Sequence, residues 1–252
     1  MKRPARIGIF GGTFDPIHAG HLRAARLVQR RFRLDRILFV PASIPPHKAR
    51  PDMAPARDRL RMTVLAVGGR PGWSVSPVEI RSRGPSYSIR TIEAMKRKYP
   101  RDRIFFLTGS DAFRDIRTWR RWRSVLRSCA FVVMTRPGVR LGTPRALGPA
   151  WRRSVHKMAP GERLDEGRLG PPAVFLLPID ALPISSTEIR ERVRRGRPLA
   201  GLVPPAVSAY IRAEGLYRGP TAPVSRPALR TSSAAGAPSF ALGSTSAAKA
   251  RP

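Results

Sequence analysis

The chain has 252 residues, 42% of them apolar, which suits one α/β domain with some excess or two small domains. Lysine and arginine total 48 against 16 acidic residues, a formal net charge of +32 that would attract polyanions. The excess is nearly all arginine and is spread along the chain, no stretch reaches the roughly 20 apolar residues of a membrane helix, and the single Cys129 excludes an internal disulfide. Specific nucleic-acid binding and membrane insertion are therefore not expected, and a reducing cytoplasm is. Cys129 precedes the apolar run Ala130-Phe131-Val132-Val133-Met134, so it reads as a buried structural thiol rather than a nucleophile.

In chain order, residues 7–10 read as a short buried strand ended by Gly11-Gly12. Residues 19–32 read as a helix, with Leu22, Ala25, Val28 and Phe32 near one face. A strand over 36–40 stops at Pro41, and Pro45-Pro46 marks a loop. Residues 56–67 are helical, 73–80 partly alternate as a strand would, and 88–99 are helical again. Apolar strands follow at 104–107 and 131–134. From 136 to 172 proline, glycine and arginine blur the pattern, leaving an irregular excursion with one short helix near 151–158. A strand over 173–177 and helices over 186–195 and 205–214 restore order, the last with proline at its start and Gly215 at its end.

Residues 1–217 thus form one domain with an irregular insertion at 139–172. After it, residues 218–252 turn to Pro, Ala, Ser, Thr and Gly and are expected to be disordered. Strands alternating with helices predict an α/β fold: a Rossmann-like, doubly wound parallel sheet with a small C-terminal helical region. Ligands in such sheets bind beyond the carboxyl ends of the strands, so the loops after Phe10, Val40, Leu107 and Leu177 are the informative ones.

The first of these loops carries Gly11-Gly12-Thr13-Phe14-Asp15-Pro16-Ile17-His18-Ala19-Gly20-His21. Its glycines permit close backbone approach, and the helix start offers free N–H groups and partial positive charge. His18 and His21, three apart, share a face of the first turn and could both donate to phosphate oxygens. Metal ligation or capping is the plainer reading of such a pair, but no Cys or second acidic group nearby completes a metal set, so no metal site is expected. A second candidate is Ile184-Ser185-Ser186-Thr187-Glu188-Ile189-Arg190. Ser185 and Glu188 have capping-box spacing, and hydroxyls at a helix start with Arg190 one turn in also make an anion site.

The first segment resembles the HxGH motif of the nucleotidylyltransferase superfamily, and the second its ISSTxIR signature. Further segments resemble the bacterial nicotinate-nucleotide adenylyltransferase family: Pro45-Pro46-His47-Lys48, Arg57–Met62, Pro85-Ser86-Tyr87-Ser88 with Thr91-Ile92, Gly109-Ser110-Asp111, Trp119 with Trp122, Arg136-Pro137-Gly138, and 202–217. The likeness covers roughly residues 6–217 and is poorest at 139–172.

The resemblance implies transfer of the adenylyl group of ATP to nicotinate mononucleotide, with Mg²⁺ bound mainly through ATP. His18, His21 and Arg190 would act on the phosphates. Gly11, Gly12, Thr13, Phe14, Gly109, Asp111, Ile184, Ser185, Ser186 and Thr187 would complete the ATP site. His47, Lys48, Tyr87, Ser88, Trp119 and Arg136 would meet the acceptor. Trp119 could equally be core packing, and Asp111 a helix cap. A nicotinamide mononucleotide or phosphopantetheine acceptor, or a basic RNA-associated protein on a nucleotide fold, remain the alternatives, and the residues leave the oligomeric state open.

Overall fold

The computed structural model describes residues 3–46, 50–135, 147, 149–159, 161–164, 167, 169–180 and 182–218. Seven strands form one sheet in the order β3-β2-β1-β4-β5-β7-β6, every pair parallel. They are β1 (Arg6–Gly12), β2 (Arg36–Pro41), β3 (Trp73–Val75), β4 (Arg103–Gly109), β5 (Ala130–Thr135), β6 (Val155–Lys157) and β7 (Val174–Pro178). The helices between and after them are α1 (Ala19–Phe32), α2 (Ala56–Val67), α3 (Ser88–Lys98), α4 (Ser110–Arg114), α5 (Trp122–Ser128), α6 (Ser186–Arg194) and α7 (Pro205–Ala213).

Parallel strands need crossovers, and the crossovers cover both faces, so the central strands are apolar over most of their length. Successive side chains then serve opposite cores. Phe10, Phe39, Phe105, Leu107, Val132, Met134, Phe175 and Leu177 pack on the side of α1, α2, α6 and α7. Their neighbours Ile9, Leu38, Val40, Ile104, Phe106, Phe131, Val133, Val174 and Leu176 pack on the side of α3, α4 and α5. The amphipathic stripe read in 19–32 is the buried face of α1, with Leu22, Ala25, Val28 and Phe32 all inside. That helix ends at Arg33 in the left-handed conformation (φ 48°), with Arg30 and Arg31 in its last turn where the helix dipole favours cations.

Three expectations change. Residues 73–80 are a strand only over Trp73–Val75. Pro77 has no N–H for a ladder, and from there the chain turns, with the Arg81 amide donating to the Pro77 carbonyl at 2.9 Å. The helix expected near 151–158 is a 3₁₀ turn at Pro149–Ser154 followed by β6, which adds an edge to the sheet beside β7. Trp151 is buried against Trp122 (ring centroids 5.7 Å), and His156 lies over Phe175 (5.2 Å), so tertiary contacts override the local pattern there. Helices α4 and α5, of five and seven residues, are too short to have shown a period. The tail beyond Arg218 and much of 136–148 lie outside the described residues. Among the described residues, no helix is long and apolar enough to cross a membrane.

The winding reverses between β1 and β4: from β1 the chain builds outward through β2 and β3, then from β4 outward the other way. The loops after β1 and β4 diverge at that point and leave a crevice, where ligands of such sheets bind.

Candidate functional site

A cavity of about 570 Å³ occupies this crevice. The loop after β1, the β4–α4 junction and the start of α6 all reach it, and Gly11, Gly12, Thr13, Phe14, His18, His21, Gly109, Asp111, Ile184, Ser186, Thr187 and Arg190 line it together. Residues 175 positions apart thus converge because β1 and β7 both end there.

His18 is the N-cap of α1, with extended backbone (φ −145°), rather than a residue of its first turn. The two imidazoles nevertheless stack, with ring centroids 3.7 Å apart. The His18 amide donates to Nδ1 of His21 at 3.3 Å, so in neutral His21 the proton sits on Nε2 and that nitrogen is a donor. Gly20 has a steric role. A Cβ there would lie 3.0 Å from His18 Nδ1, so only glycine lets the His18 ring rest against the helix start. The pair caps the helix and also lines the cavity.

At the second helix start, the two serines divide the work. Ser185 caps α6, its Oγ accepting from the Glu188 amide at 3.1 Å, and it does not line the cavity. For Ser185 the capping reading holds. Ser186 Oγ donates to the Pro16 carbonyl at 3.0 Å, and Arg190 Nη1 donates to the Asp15 carbonyl at 2.8 Å. Arg190 is 3% exposed, and burial, then the neighbouring Arg50 charge, lower its pKa from the ordinary arginine value. The two phosphate-loop segments are thereby tied to each other.

Asp15 holds that tie, and it was assigned no role from the sequence. Its buried carboxylate accepts from Arg50 (2.7 Å), the Ala54 amide (3.1 Å) and the Tyr217 hydroxyl (2.7 Å). Arg50 also lines the cavity. The only sequence signals were indirect: Asp15 sits inside the glycine-rich segment, and Tyr217 closes the C-terminal one. Thr108 and Ser110, also unread, line the cavity beside Gly109 and Asp111.

Of the expected acceptor residues, Tyr87, Ser88 and Trp119 are described, and none of the three lines this cavity. Tyr87 lines a second cavity of about 230 Å³ with Glu79, Ser86 and Arg90, and the Arg90 and Arg120 guanidinium groups lie 5.6 and 5.0 Å from its ring centre. Ser88 is the first residue of α3 and lines neither cavity. Trp119 packs edge-to-face on Phe106 (6.0 Å, 75°), partly buried against the α3–α5 core. His47, Lys48 and Arg136 lie outside the described residues. Cys129 is buried and its thiol pushed up to about 12 by that burial, which leaves it inert as a nucleophile. No group of three His, Cys, Asp or Glu able to hold a metal occurs among the described residues.

A family model described as cytidylyltransferase-like matches residues 9–192. A protein of Acidothermus cellulolyticus named "Probable nicotinate-nucleotide adenylyltransferase" is 43% identical over 221 residues, covering 86% of this chain and 96% of that one. One of the same name from Moorella thermoacetica is 40% identical over 224 residues, covering 86% and 94%. The fold is similar to the solved structure of Plasmodium falciparum nicotinic acid mononucleotide adenylyltransferase complexed with NaAD, at TM-score 0.63 and 18% identity over 84% of this chain and 97% of that one.

Proposed function

Since the chain belongs to the nicotinate-nucleotide adenylyltransferase family, within the cytidylyltransferase-like proteins, we propose that it transfers the adenylyl group of ATP to nicotinate mononucleotide. The products are nicotinate adenine dinucleotide and pyrophosphate, and the place of action is the cytoplasm. The observation that carries this reading is the pairing of two helix starts, at His18–His21 and Ser186–Arg190, around one cavity at the switch point of the sheet.

The 5′-phosphate oxygen of the mononucleotide attacks the α-phosphorus of ATP in line. A new P–O bond forms as the bond to the β-phosphate bridging oxygen breaks, and pyrophosphate leaves on the far side. Such reactions depend on positioning and charge stabilisation more than on covalent chemistry by the protein. His21 Nε2 donates to a phosphate oxygen, the N–H groups at both helix starts add positive potential, and Arg50 and Arg190 neutralise charge from behind the loop. Asp111, at the β4–α4 junction, accepts from ribose hydroxyls. Mg²⁺, carried by ATP and water, supplies further charge neutralisation. The Asp15 carboxylate is engaged by Arg50, the Ala54 amide and Tyr217, so the cation would be held mainly by the phosphates of the nucleotide.

The test is pyrophosphate release from ATP and Mg²⁺ with nicotinate mononucleotide, nicotinamide mononucleotide and phosphopantetheine side by side. Preference for either of the other two acceptors would refute the assignment.

A further inference from the structure

Arg59, on α2, is fully buried, yet no carboxylate among the described residues hydrogen-bonds it. Among those residues its guanidinium donates to backbone carbonyls: Nε to Ala54 (3.0 Å), Nη1 to Thr13 (2.8 Å) and Ala42 (2.6 Å), and Nη2 to Ser43 (2.9 Å). A buried cation is costly, and burial lowers its pKa from the ordinary arginine value. Simple core filling would be served by an apolar side chain. What the guanidinium adds is a planar fork that holds four carbonyls in fixed directions, which an ammonium cannot reproduce.

Those carbonyls belong to separate loops. Thr13 is in the phosphate loop after β1, and Ala42 and Ser43 are in the loop after β2. From Ser43 the connection continues, because its amide donates to Ser86 Oγ at 2.8 Å and the Ser86 amide donates back to the Ile44 carbonyl at 2.9 Å. Ser86 directly precedes Tyr87 and the start of α3. A planar peptide whose C=O faces Arg59 must aim the following N–H the other way, so the guanidinium also sets the direction of the Phe14 and Ile44 amides.

We propose that Arg59 is a positioning residue that locks the ATP loop to the loop after β2 and, through Ser43 and Ser86, to the start of α3, so that both reactants are held in one register. The kinetic arm rests on the adenylyl-transfer reading, and the exchange arm on its ATP-binding part alone.

Two measurements test it with the full chain. In the first, amide hydrogen exchange is followed by mass spectrometry with and without α,β-methylene ATP. In the wild type the analogue slows exchange at 12–15 and also at 42–44. In Arg59→Lys it slows exchange at 12–15 alone. In the second, KM for ATP and for nicotinate mononucleotide both rise about threefold or more in Arg59→Lys, as expected when reacting groups lose alignment. Equal protection of 42–44 in both proteins, or none in the wild type, overturns the proposal, as does a KM rise that is smaller or confined to one substrate. If Arg59→Lys does not fold, the wild-type exchange result decides alone. A wild type that fails to use nicotinate mononucleotide refutes the activity and leaves the exchange experiment intact.

Discussion

Replacing Tyr217 by phenylalanine deletes one oxygen from the site's support. That hydroxyl donates to Asp15 Oδ1 at 2.7 Å, with the two residues 9% and 2% exposed. A hydrogen bond to a charged group contributes about 1.5–3 kcal/mol. Asp15 keeps Arg50 at 2.7 Å and the Ala54 amide at 3.1 Å, so its carboxylate is not left unpartnered. A loss of about 2 kcal/mol is therefore expected, in the lower half of that range. In a domain of this size it corresponds to a fall in Tm of roughly 4–8 °C, measured by calorimetry near neutral pH. The alkaline limb gives a second reading. Burial, then the Asp15 charge, push the Tyr217 phenol well above the ordinary tyrosine range. Above about pH 10 the unfolded chain releases a proton that the folded protein keeps, so stability is intact below that pH and declines as pH rises through it. Tyr217→Phe cannot show this ionisation and should lose stability less steeply there. A variant with unchanged Tm and an unchanged alkaline slope would refute the role given to the Asp15 cluster.

Other expectations are simpler to check. His21→Ala should lower turnover on the order of 10²–10³-fold in a pyrophosphate-release assay, with a fall in Tm of only a few degrees from the lost bond to the His18 amide. Gly20→Ala should force the His18 ring aside, since the new Cβ would lie 3.0 Å from its Nδ1, and lower kcat/KM by about tenfold, roughly 1.4 kcal/mol. Excess EDTA should abolish transfer without shifting Tm, because no three-residue metal cluster occurs among the described residues. Trp119→Leu should lower Tm by a few degrees through lost packing on Phe106, with KM for ATP unchanged in steady-state kinetics.

The residues that line the switch-point cavity were largely legible in the sequence because their signals are local. Glycines, the histidine pair and a helix start fall within eleven consecutive residues, and α1 and α2 occupy the very spans their periodicity indicates. The capping-box spacing marked Ser185 as a cap, and the structure adds that Ser186, not Ser185, lines the cavity. Asp15 and Arg59 were illegible for a different reason. The partners that define them, Tyr217 for one and four carbonyls for the other, are set by tertiary packing rather than by neighbouring residues. At β6 and at 76–80, edge pairing and a proline decided the outcome, and both act on segments too short for a period to speak.

Cys129 offers an internal reporter of stability. It is the chain's one thiol, enclosed where α5 meets β5 and held in its protonated form. An alkylating reagent can reach it only after that seam between the α3–α5 layer and the sheet has parted. Its labelling rate under native conditions therefore counts openings of that layer, without a spectroscopic probe or an engineered site. The cavity proposed for the nucleotide lies at the switch point, and Cys129 does not line it. Comparing labelling with and without nucleotide would reveal whether occupancy of the crevice tightens the whole sheet or only its own rim.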